Sequence, residues 1–148
     1  MRKMKHKGSA MEYAQERMNE IMRAYNEYVC SCKHINIPYI CKKIAEMPAS
    51  RFWVSEIWAS KIILAMMQNK HPYYNMRPLK KEMFLEIHKR VIEIKRQNPQ
   101  FSIKKCCTIV VEQPAPKHYL SPTSIQVMIC KEKKRLFQER KRRLQHCF

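Results

Sequence analysis

The sequence predicts an all-α fold, a tandem pair of three-helix, helix-turn-helix-like bundles. Three observations carry this prediction. The 148 residues include a single glycine, Gly8, and no aspartate, so the Asn-Gly and Asp-Gly turns that close β-hairpins are absent. Apolar residues recur at the i, i+3, i+4 spacing of helix faces. The sequence also repeats itself. Residues 46–63 read EMPASRFWVSEIWASKII and residues 112–129 read EQPAPKHYLSPTSIQVMI, so the shift between them is 112 − 46 = 66. Glu46, Pro48, Ala49, Ser55 and Ile63 recur as Glu112, Pro114, Ala115, Ser121 and Ile129. The register holds upstream without a gap: Ile21, Ile37, Cys41 and Ile44 meet Ile87, Ile103, Cys107 and Val110. Matches in one register across successive segments indicate duplication.

The repeat divides the chain into a basic arm at 1–11, unit one at 12–70, a linker at 71–77, unit two at 78–136 and a basic helical extension at 137–148. Helix A of the first copy is expected from about Met11 to Val29, with Ala14, Met18, Ile21, Met22, Tyr25 and Val29 on its apolar side. Helix B follows from about Pro38 to Met47, with Ile37, Ile40, Cys41 and Ile44 as its buried stripe. Pro48 ends it. Ser55 stands where an N-cap belongs, and helix C runs from about Glu56 to Gln68.

In the second copy, Pro78 suits a first helical turn, and Phe84, Ile87, Val91 and Ile94 follow at helical spacing. The segment CCTIVVEQ resembles a strand by propensity. Its aligned partner, CKKIAEMP, has helical spacing, so it is predicted helical, within 103–113. Ser121 and Pro122 start helix C, which continues to about Leu144 because nothing breaks it. Phe52, Trp53 and Tyr119 are expected in the core, beneath the turn that precedes helix C.

Composition narrows the function. Lys and Arg number 30 against 12 Glu, a formal charge of +18. The excess is uneven: 12 basic and 6 acidic residues in 1–74, then 18 and 6 in 75–148. Such a charge points to a polyanion, foremost nucleic acid. Missing glycines exclude phosphate-cradling loops and dinucleotide fingerprints. No apolar run of about 18 residues is present to span a membrane, so no membrane partner is expected.

Seven cysteines, with no secretory signal ahead of them, read as reduced core or surface thiols of a cytoplasmic protein. Cys30, Cys32, His34 and Cys41 give C-x-C-x-H-x6-C, but the second copy has Arg96, Asn98, Gln100 and Cys107 there. No metal and no cofactor are expected. Among His71, Tyr73, Tyr74, His88 and the repeated Glu46 and Glu112, nothing forms a nucleophile–base–acid set, so no enzyme is expected.

A short helix, a turn and a capped helix, braced by a longer first helix, have the outline of a helix-turn-helix. In that reading helix C enters the DNA major groove. Arg51 and Lys117, the same loop position in both copies, would contact phosphate beside a helix N-terminus. Ser60 and Lys61 in the first copy, and Ser124, Gln126 and Lys131 in the second, would face the groove, with Gln126 suited to adenine. Lys134, Arg140 and Arg142 would extend the contact along the phosphate backbone. Arg2, Lys3, Lys5 and Lys7 suit a flexible basic arm.

The strings RFWVSE, RPLKKEMFLEI and QPAPKHYLSPTS resemble an uncharacterised family of small basic proteins from gut bacteria, their mobile elements and phages. The likeness covers about residues 12–140. It implies mobile-element or phage biology and no particular residue roles. Tandem Myb-type repeats also bind DNA as three-helix units, but their three spaced tryptophans are missing here, where only Trp53 and Trp58 occur.

The expected function is therefore non-enzymatic binding of duplex DNA, as a regulator or mobile-element or phage accessory factor. The alternative is a virion, scaffold or protein-binding helical protein whose charge neutralises packaged nucleic acid. RNA is a third target, and a protein partner or homo-oligomer stays open.

Overall fold

The computed structural model describes residues 13–72 and 75–147. Among them the chain forms helices only, which we number α1 (Ala14–Ser31), α2 (Ile37–Glu46), α3 (Glu56–Met67), α4 (Pro78–Gln97), α5 (Ile103–Val111) and α6 (Pro122–His146). These match helices A, B and C of the two copies. The arm at 1–11 lies outside the described residues.

The starts are set by the same chemistry in both copies. Asn36 Oδ1 accepts from the Tyr39 amide at 3.1 Å, and the equivalent Ser102 hydroxyl accepts from the Lys105 amide at 3.1 Å. Ser55 and Ser121 accept from the Trp58 and Ser124 amides at 3.2 and 3.1 Å. Each cap satisfies a backbone donor that the first turn cannot. Helix α3 ends on Asn69, whose φ of 57° is a left-handed conformation that Asn tolerates. The segment 106–111 is helical as the repeat implied. Its β-branched Val110 and Val111 serve packing, fully buried together with Cys106 and Cys107.

The helices sort into two compact units, and these are not the sequential units 12–70 and 78–136. Unit 1 spans 47–119 together with residues 13–15, and holds α3, α4 and α5. Unit 2 joins 16–46 to 120–147, and holds α1, α2 and α6. Each unit thus combines helices A and B of one copy with helix C of the other. Hydrophobic periodicity fixes which face of a helix is buried, not which partner buries it.

The core of unit 1 contains Ala59, Ile62 and Ile63 of α3, Phe84, Ile87 and Val91 of α4, and the buried cysteines and valines of α5. It also contains the two straps before the C helices. Ala49 and Ala115, equivalent residues of the two copies, pair as an antiparallel bridge with both N–H···O distances 3.0 Å. Phe52 stacks on Tyr119 with ring centroids 6.0 Å apart, and Trp53 on His118 at 6.2 Å. The Trp53 indole N–H donates to His118 Nδ1 at 3.1 Å. The aromatics close the core beneath the turn, in line with the expectation from sequence.

In unit 2, Ile125 and Ile129 of α6 are buried, as are Ile40, Cys41 and Ile44 of α2 and Ile21, Ala24 and Tyr25 of α1. Lys133 of α6 reaches α1, where its ammonium donates to the Tyr25 hydroxyl and lies 4.3 Å from that ring's centroid.

Candidate nucleic-acid interface

Helix α6 has 25 residues, about 37 Å at the rise of an α-helix. Its buried residues, Ile125 and Ile129, both belong to the first two turns. No residue from Cys130 to Cys147 is buried. The remaining length is held as helix by its own side chains. Arg135 pairs with Glu132 at 2.6 Å and with Glu139 at 3.4 Å, and Arg143 pairs with Glu139 at 3.2 Å. The Arg135 hydrogen bond holds the Glu132 carboxyl below its ordinary pKa. Lys141 lies 5.7 Å from the Phe137 ring centroid.

Both acids of α6 are therefore consumed within the helix. Lys131, Lys134, Arg140 and Arg142 have no ion-pair or hydrogen-bond partner among the described residues, and all four are exposed. Thr123, Gln126, Val127, Cys130, Lys131 and Lys134 line one groove of about 460 Å³. Arg142 follows Lys131 by eleven residues, just over three turns, and so shares its face. Arg140 follows by nine residues and lies half a turn round. It lines a different hollow with Leu136, Glu139 and Arg143, so it does not belong with the other three.

The other residues expected to touch DNA are deployed differently. Ser60 is not at the surface. It is 8% exposed, its hydroxyl donates to the Glu56 carbonyl at 2.7 Å, and it sits against the Cys107 thiol. This corrects its assignment to a groove-facing position, because burial removes it from any ligand. Ser124 is half-buried, its hydroxyl accepting from Ser121 Oγ at 2.9 Å within the cap. The repeated loop base is used twice in different ways. The Arg51 guanidinium lies 3.7 Å from the centroid of the Tyr13 ring, and its Nε donates to the Phe52 carbonyl at 3.2 Å. Lys117 is ion-paired with Glu82 and lies 5.6 Å from the Tyr119 ring centroid. Both are half-buried, and neither presents a bare charge.

Lys61 is exposed on α3, but its helix carries no other base. Its exposed neighbours Ile57, Trp58, Leu64 and Met67 are apolar. Helix α3 contains one base and one acid, whereas α6 contains eight and two.

No family model, curated protein or solved structure matches the chain. Its function must therefore be read from its own surface. Val127, outward-facing on helix C by its spacing, joins the groove together with Thr123 and Cys130. Their spacing from Gln126, Lys131 and Lys134 places all six on one helix face, a signal present in the sequence. Among the described residues no three His, Cys, Asp or Glu side chains gather in metal-binding geometry, and no helix is long and apolar enough to cross a membrane.

Proposed function

We propose that the chain binds duplex DNA through helix α6, without catalysis, as a regulator or as an accessory factor of a mobile element or phage. The observation that carries this reading is the bare cation row: Lys131, Lys134 and Arg142 share one exposed face and have no counter-ion among the described residues. Cations left unneutralised on a helix that outruns its core suit a phosphate backbone, where binding releases condensed counterions. Gln126 lies in the same groove, and a Gln side chain can pair bidentately with adenine. In unit 2, α2 packs against α6, the proposed reading helix, although no helix-turn-helix connection joins them, since one ends at Glu46 and the other starts at Pro122.

A salt titration of duplex affinity tests the reading. Log Kd should depend steeply on log salt. Changing Lys131, Lys134 and Arg142 together to Gln should lower the slope by about 0.9 for each phosphate no longer neutralised. Gln126→Ala should relax preference at one base pair by roughly 1–3 kcal/mol and leave the slope unchanged. No duplex binding at low salt would overturn the reading.

The second reading is a protein-binding or scaffold role, favoured by α3, which exposes Ile57 and Leu64 at 59% and 43%. Duplex binding that is indifferent to Gln126 and to the α6 cations would move this reading ahead.

A further inference from the structure

We infer that the two sequence copies are complementary halves: helices A and B of each copy form a socket whose occupant is helix C of the other copy. The surface that each half offers is built for a homologous half-chain, and the covalent link at 71–77 is dispensable for assembly. For α6 this rests on the proposed DNA reading; the exchange itself does not.

The B helices of the two sockets bury the same stripe. Ile40, Cys41 and Ile44 of α2 are buried where it packs on α6, and Cys106, Cys107 and Val110 of α5 are buried where it packs on α3. The inserted residues share their spacing, Ile63 on α3 answering Ile129 on α6 and the smaller Ala59 answering Ile125. That spacing alone does not assign a helix C to one socket or the other. The straps make the choice. Ala49 bridges Ala115, and the Phe52 amide donates to the Val111 carbonyl at 3.1 Å. Residues 49–54 of the first copy are thus bonded to 111–119 of the second, and α3 starts beside α4 and α5.

The strap contacts also carry a signature of exchange. Shifting by 66 residues turns Phe52 into His118 and Trp53 into Tyr119. It therefore converts the Phe52–Tyr119 stack into the Trp53–His118 stack, and both exist. The Ala49–Ala115 bridge maps onto itself. Within unit 1 the strap contacts exchange with one another as those of a two-fold pair do. The linker contributes only proximity between halves that core packing already joins.

It follows that the first copy positions the proposed DNA-reading helix of the second. Tyr25 and helix α2 belong to a copy whose own helix C carries no cation row, yet Tyr25 meets Lys133 and α2 packs on α6.

The test uses the full chain with a protease site inserted at the exposed Asn75, cleaved after folding. The two fragments should co-elute as one particle of the intact chain's mass, keep their helicity and part only in denaturant. Fragments that separate under native conditions overturn the proposal. Hydrogen exchange gives a second arm without any insertion. Ile63→Val should speed exchange in α4 and α5 and spare α1 and α2; Ile129→Val should do the reverse. The opposite pattern, each substitution loosening its own copy, also overturns it. Cleaved protein should bind a labelled duplex within about two-fold of the intact chain, since the linker supplies only proximity. If the intact chain binds no duplex, the DNA reading fails while co-elution and exchange still decide the complementation.

Discussion

The two C helices occupy equivalent places in the 66-residue register and differ in opposite senses. Helix α3 ends after three turns, caps off with Gln68 and Asn69, and contains a single base. Helix α6 starts with the same serine cap and runs past its last buried residue for more than four turns, with eight bases. The surroundings differ in the same sense. Unit 1 encloses Phe52, Trp53, Phe84 and Tyr119 around α3, whereas Tyr25 is the one aromatic buried with α6 in unit 2 among the described residues. Unit 1 holds the larger core and unit 2 the projecting charged helix, which separates stability from the proposed binding.

The sharpest way to break that comparison is in the cores. Phe84 is fully buried and its equivalent, Met18, is half-buried. Phe84→Ala should cost about 3–5 kcal/mol, and Met18→Ala about half as much or less. Urea unfolding of the two variants, followed by helix signal, measures both. Equal costs would contradict the division into a heavy and a light core.

Alkaline pH probes the same asymmetry. Burial pushes the Cys107 thiol up to about 11 and the Tyr119 hydroxyl up to about 12. Both groups lie in unit 1. Each is raised above its unfolded value, so between about pH 9 and 12 the unfolded chain has released protons that the folded chain still holds. Stability is intact below the unfolded pKa and falls as pH rises through this window, by up to about 2–3 kcal/mol per group. Cys107→Ala should flatten the loss near its lower end. A stability profile that stays level to pH 11 in the parent protein would show the thiol to be less enclosed than its position in the core implies.

Arg17 offers a stabilising test. Burial lowers its pKa, and its Nε is buried with no hydrogen-bond partner among the described residues. The equivalent position in the second copy is Met83, buried in apolar surroundings. Arg17→Met should stabilise the protein by about 1 kcal/mol, since it removes an unsatisfied polar group. A loss of stability in thermal unfolding would mean that the guanidinium has compensation in unit 2.

The smallest expected effect separates the helix surfaces. Lys131→Gln should reduce the salt slope of duplex binding by about 0.9, and Lys61→Gln by much less. Equal reductions would restore a tandem mode in which both C helices read DNA.

Much of the fold was legible in the sequence. All six helices lie within a few residues of their predicted spans, because caps, prolines and apolar spacing are local signals. The repeat register correctly overrode strand propensity at 106–111. The candidate interface was legible only in part. Ser60 reads as a surface residue because serine is polar, and its burial depends on a helix distant in sequence that brings Cys107 against it. The pairing of Lys117 with Glu82 was hidden for the same reason. Arg140, by contrast, was separable from Lys131 by helical geometry alone.

By itself the sequence determined an all-helical chain, its duplication, its surplus of cations and the length of α6. These follow from composition and from regularities a few residues long. Only the tertiary structure decided which helix C fills which socket. The apolar residues of the two copies recur at the same helical spacing, and that local pattern satisfies either arrangement. The choice depends on the bridge between Ala49 and Ala115, two residues far apart in the chain whose backbone pairing leaves no trace in hydrophobic spacing.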